Sequence, residues 1–69
     1  MNFLSDAQKF KYEGEKQLYP EADFDQMPDG KIMMHWIMRY YRSGLSSVWL
    51  FKRYITKTGK ITKITRLKL

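Results

Sequence analysis

Apolar side chains recur at three- and four-residue spacing between Ser5 and Leu18, and from Lys31 onward the period changes to two. In the first segment Ala7, Phe10, Gly14 and Leu18 fall on one stripe of a helix. Ser5 and Gln8 stand in the S-x-x-Q spacing of a capping box, and Asp6 suits the positive end of the helix dipole. Gly14 costs roughly 1 kcal/mol relative to Ala, and its bare backbone suits a close approach to a sheet. Pro20 disfavours helical geometry at Tyr19, so the helix is expected to end near Gln17 or Leu18. Residues 20–30 then read as a linker closing in a Pro28-Asp29-Gly30 turn, with Phe24 and Met27 pinning it to the core.

Past the linker, Ile32, Met34, Trp36, Met38 and Tyr40 point to one side of a strand, while Met33, His35, Ile37, Arg39 and Tyr41 point to the other. Ser43-Gly44-Leu45-Ser46 reads as a turn, and Val48 to Thr56 as a second strand rich in aromatic and β-branched residues. Thr56 to Lys60 fits a three-residue loop with Gly59 in the left-handed position, and a third strand starts at Ile61. The expected fold is α+β: an N-terminal helix packed on a three-stranded antiparallel β-meander. It forms a single small domain over 1–69, with helix 5–18, acidic linker 19–30 and basic β-meander 31–69.

Strand parity then sorts the side chains. Pairing Arg42 with Ser47 and Thr56 with Lys60 assembles Met34, Trp36, Met38, Tyr40, Trp49, Phe51, Ile55, Ile61 and Leu67 into a core face, with Arg53 and Lys63 near its edge. Arg39, Tyr41, Lys52, Tyr54, Arg66 and Lys68 fall on the opposite face with His35. A two-residue loop at Thr58-Gly59 would shift the third strand by one residue and carry its basic side chains across the sheet.

Charge sharpens this picture. All seven acidic residues lie between Asp6 and Asp29, against only three lysines in the first thirty positions, a net of −4. Residues 31–69 contain ten Lys and Arg and no acid. A segment that repels itself so strongly needs an acidic arm or a polyanionic partner. The chain has no cysteine and one histidine, so a disulfide staple and a Cys/His zinc cluster are excluded. At 69 residues the core is thin, and four Phe, five Tyr, two Trp and five Met must fill it. The absence of cysteine fits a reducing cytoplasm. No apolar run reaches the ~20 residues of a membrane span, and Met1 to Asp6 lacks the charged and apolar regions of a signal peptide.

Catalysis finds little support. His35 is a lone base on a strand, and Ser43, Ser46 and Ser47 sit where a turn expects serine. Glu21, Asp23 and Asp25 alternate but lack the glycine and terminal glutamate of a calcium loop. No cofactor motif is present, and no enzymatic activity is expected. The stronger constellation is basic and aromatic: Arg39, Tyr41, Lys52, Tyr54, Arg66 and Lys68 on a sheet face, with Lys57 and Lys60 at a hairpin tip. Cations neutralise phosphates and rings stack on unpaired bases.

A small basic nucleic-acid-binding protein, for DNA or RNA, is therefore the first expectation. The alternative is a phage or mobile-element protein that binds and inhibits a host protein without catalysis. It would dock its basic sheet on an acidic surface of that partner, or add a strand to it through the edge of the meander. A homo-oligomer, joined by the acidic arm of one copy on the basic sheet of another, is a third. The helix-plus-three-strand plan resembles the small sheet-type DNA-binding modules of integrases in architecture. It shares no motif with them and transfers no functional residue.

Overall fold

The computed structural model describes residues 4–69. Its element order is α1 (Asp6–Leu18), β1 (Asp23–Gln26), β2 (Ile32–Arg42), β3 (Leu45–Ile55) and β4 (Thr65–Lys68). The strands form one antiparallel sheet in the order β1-β2-β3-β4, so the α+β class stands and the meander has four strands rather than three. The added strand lies inside the acidic linker. Asp23-Phe24-Asp25-Gln26 has the period of two that places Phe24 against the core and both carboxylates on the other side. With only one apolar residue in four, it reads as a loop until β2 supplies an edge for it to join.

The helix starts as expected. Ser5 Oγ accepts the Gln8 backbone N–H, and the Gln8 side chain accepts the Ser5 N–H, closing the capping box. Its stripe does not pack into the core, however: Phe10, Gly14 and Leu18 line an open hollow with Ile61 beside the sheet. Phe10 and Leu18 are 76% and 73% exposed, and nothing lies within 4 Å of where a Gly14 Cβ would be. Two polar residues, Gln8 and Glu15, are the buried ones. Gln8 Nε2 donates to the Gly30 carbonyl at 2.6 Å, and Arg53 Nη1 donates to Glu15 Oε1 at 3.0 Å. Tyr12 meets Phe24 edge-on, and Tyr19 lies 4.8 Å from the Trp36 ring. Hydrogen bonds and aromatic contacts thus orient the helix against its own apolar periodicity.

Beneath the helix, Ile32, Met34, Trp36, Phe51 and Ile55 are buried. Trp36 and Phe51 stack with centroids 5.5 Å apart. The β2–β3 hairpin closes in two residues, Ser43 and Gly44, both at positive φ (51° and 78°), and pairs Arg42 with Leu45 rather than Ser47. Two left-handed residues match the twist of a tight hairpin. The shift is two residues, so each side chain of β2 and β3 keeps its face while its partner changes. Arg53 now pairs with Met34 beneath the helix, where Glu15 reaches it.

The third strand of the expected meander breaks in two. Ile61 pairs with Ile55 as expected, but β4 pairs Arg66 with Phe51 and Lys68 with Trp49, one residue out of step. The extra residue is absorbed beside Tyr54, whose C=O accepts the Thr62 N–H while its own N–H donates to Thr62 Oγ1. A side-chain hydroxyl replaces a backbone carbonyl in the ladder, and the strand slips as in a β-bulge. Arg66 and Lys68 therefore lie on the helix side of the sheet, and Leu67 on the opposite side.

Two three-residue loops close the other end. Gly30 and Gly59 both adopt positive φ, with Met27 N–H donating to the Lys31 C=O and Thr56 N–H to the Lys60 C=O, each at 2.8 Å. In the first loop the Lys31 backbone N–H donates to Asp29 and holds its carboxyl below the usual carboxylate range. Gly59 is buried under the helix, where an added Cβ would stand 2.8 Å from Ala7 Cβ.

Glu15→Ala strands a mostly buried guanidinium and is expected to cost about 3 kcal/mol in urea unfolding, whereas the double change Glu15→Met, Arg53→Met recovers most of that loss. Gly59→Ala meets both the clash and a left-handed backbone, which alone costs about 1–2 kcal/mol, and should lower the thermal midpoint more than Gly14→Ala raises it.

Candidate nucleic-acid interface

β2 and β3 are eleven residues each, longer than the helix can cover, and the molecule extends 45 × 22 × 18 Å. Burial along β2 stops at Trp36, and every residue from Ile37 to Ser46 is exposed. β1 pairs no further than His35, and β4 no further than Trp49. Residues 37–48 therefore form a two-stranded arm that projects past the core. It is exposed on both faces from Ile37 to Ser46 and half-buried at Ser47 and Val48, where the Leu69 N–H reaches the Val48 C=O.

The eight residues singled out from sequence occupy three places. Arg39, Tyr41, Lys52 and Tyr54 share the open face, away from the helix, as parity required. Arg39 and Tyr41 are exposed on the arm, while Lys52 and Tyr54 are half-buried nearer the core. The Lys31 ammonium lies 5.7 Å from the Tyr54 ring centroid.

Arg66 and Lys68 join the helix-side face instead. There the Arg66 guanidinium covers the Trp49 ring at 4.9 Å, and Lys68 lines a shallow hollow with Tyr40, Arg42 and Leu45. That group of Tyr40, Arg42, Trp49, Arg66 and Lys68 is as basic and aromatic as the open face. It depends on the one-residue slip in β4, which strand parity alone does not reveal.

Lys57 and Lys60 sit at the opposite end of the molecule. Their loop is tied to the start of the helix, with Ser5 Oγ donating to the Lys57 C=O at 2.8 Å. Lys57 lies nine residue steps along β3 and its extension from Val48, the partner of Arg39, a span of about 30 Å at strand rise.

The acidic strand borders the open face without covering it. Asp23 pairs with His35, and Asp25 Oδ2 lies 2.6 Å from His35 Nε2. Lys52 stands on the far side of His35 from Asp23, and Arg39 is four residues beyond the end of β1. The open face also carries an apolar row across three strands, Ile37–Leu50–Leu67, whose outer members are 60% and 61% exposed. Among the described residues, no helix is long and apolar enough to cross a membrane.

Arg66→Ala removes the cation from the Trp49 face and should raise quenching of its fluorescence by acrylamide, since Trp36 is buried and contributes little. The accompanying loss of stability is expected near 0.5–1 kcal/mol.

Protein families, curated proteins and solved structures offer no match to this chain.

Proposed function

We propose that this protein binds nucleic acid through the 37–48 arm and the adjoining end of β4, and acts by binding rather than catalysis. The observation that carries this reading is the arm itself: two strands, exposed on both faces from Ile37 to Ser46, in a segment without a single carboxylate side chain. Arg39 projects from one face and Arg42 from the other, with Lys52 behind the first and Arg66 and Lys68 beside the second. A two-stranded ribbon fits the major groove, which is about 12 Å wide, and cations on both faces can reach the phosphates of both walls. Tyr41, 72% exposed, adds a ring for an unpaired base.

A second reading rests on the apolar row. Ile37, Leu50 and Leu67 offer nothing to a phosphate but fit a protein surface, and they support a non-catalytic binder or inhibitor of another protein.

Binding of a short duplex and of a single strand, followed by fluorescence anisotropy across salt, separates these readings. If Arg39, Arg42, Lys52, Arg66 and Lys68 each neutralise a phosphate, affinity for duplex falls about 500-fold from about 50 to about 200 mM salt. Arg39→Ala or Arg42→Ala should reduce the salt slope by about one, and Lys57→Ala should leave it unchanged. Affinity indifferent to salt would sink the nucleic-acid reading. Loss of a protein partner on Ile37→Asp or Leu67→Asp, with DNA affinity barely altered, would favour the second.

A further inference from the structure

Strand β1 occupies only part of the β2 edge. The Met27 N–H donates to the Lys31 C=O, which sets the alternation along β2. Lys31, Met33 and His35 turn their backbone groups toward β1, and the even-numbered residues turn theirs toward β3, ending in the Arg42–Leu45 pair that closes the hairpin. The same period turns the N–H and C=O of Ile37, Arg39 and Tyr41 outward. Among the described residues no strand meets them.

The chain leaves this edge for a local reason. Tyr19 packs on Trp36 at 4.8 Å, and the Ala22 N–H donates to the Tyr19 C=O at 3.0 Å. That turn lifts the backbone onto the helix side just before it would come level with Trp36. Three donors and three acceptors in a straight row are left on an eleven-residue strand, a ready template for another strand.

Charge decides what fits. The part of the edge already filled carries Asp-Phe-Asp-Gln, with both carboxylates on the open face and Asp25 against His35. The unfilled part carries Arg39 on that same face, between Ile37 and Tyr41, and Met38 and Tyr40 on the other. A strand with a carboxylate opposite Arg39 and apolar side chains opposite Met38 and Tyr40 continues the pattern that β1 begins. A second copy does not. The longest two-fold pairing of this edge is centred on Arg39 and sets it against its own copy, and like charges directly opposed destabilise a sheet. The sheet's other free edge, on β4, carries Arg66 and Lys68 and is no better.

We propose that the free edge of β2 at Ile37, Arg39 and Tyr41 accepts an extended acidic segment of a partner protein as an added antiparallel strand. This stands apart from nucleic-acid binding, in which side chains meet phosphates and these backbone amides stay free to exchange.

The test titrates the full chain, labelled for NMR, with a synthetic capped heptapeptide that alternates aspartate with phenylalanine and valine, and reads amide hydrogen exchange. Exchange at Ile37, Arg39 and Tyr41 should slow at least about tenfold, while Met38 and Tyr40, already bonded to β3, change little. Methylating the one peptide nitrogen that faces Arg39 removes one hydrogen bond and should weaken binding about tenfold. A peptide with lysine for aspartate should fail on the natural chain and bind Arg39→Glu instead. Equal binding of the methylated peptide, protection elsewhere than these three amides, absence of binding at millimolar peptide, or dimerisation of the chain through this edge would each overturn the proposal.

Discussion

Arg53 and Glu15, joined at 3.0 Å beneath the helix, occupy a contact where two apolar side chains would ordinarily meet. The pairing is single-armed: Glu15 Oε2 and Arg53 Nε are buried without hydrogen-bond partners. Such a pair adds little more stability than a hydrophobic replacement of equal volume, but its hydrogen bond forms only when the helix turns Glu15 toward the sheet. With Gln8 bonded at one end and Tyr19 stacked at the other, that rotation is locked. The rest of the surface follows from it. Phe10 and Leu18 stay exposed, the core is confined to the sheet's proximal half, and the distal half of the β2–β3 hairpin has no cover.

The segregation of charge takes its meaning from this geometry. A +10 segment laid out as a long hairpin spreads its cations over two faces and two ends, so self-repulsion is lower than a compact patch would suffer. The acidic arm pairs Asp29 with Lys31 at the boundary of that segment, reaches no further than His35, and leaves the projecting part without a carboxylate. Cationic side chains also guard the open edges of β2 and β4 against pairing with further copies of the chain. Under the two proposals one feature would serve two ends: the positive charge that would attract a polyanion would also select which strand can join the sheet.

Much of the fold was legible along the chain. The capping box, the helix end before Pro20, the Gly30 and Gly59 loops, and the parity of β2 and β3 are dictated by neighbours a few residues apart. Those features hold in the structure because local sterics and local hydrogen bonds suffice to produce them. Four features were not legible. The helix stripe missed the core, since periodicity counts apolar residues and cannot see that Glu15 has a buried arginine to meet. Strand β1 was hidden because its pairing energy comes from β2. The first hairpin closed two residues tighter than expected, through a serine at positive φ. The slip in β4 followed from the hydroxyl of Thr62 standing in for a carbonyl, which moved Arg66 and Lys68 across the sheet.

For the candidate interface the division is similar. Composition and a period of two are enough to make residues 31–69 basic, aromatic and strand-forming, and to put Arg39, Tyr41, Lys52 and Tyr54 on one face. Tertiary structure decided that Arg66 and Lys68 join Arg42 and Trp49 on the other face, and that Lys57 and Lys60 stand at the far end. It also decided that the acidic strand stops at His35 and leaves an open edge beyond. Side-chain parity within a strand is a property of the backbone, which the chain carries with it everywhere. Register between strands, and where one element stops covering another, depend on contacts between residues distant in sequence, and those exist only once the chain has folded.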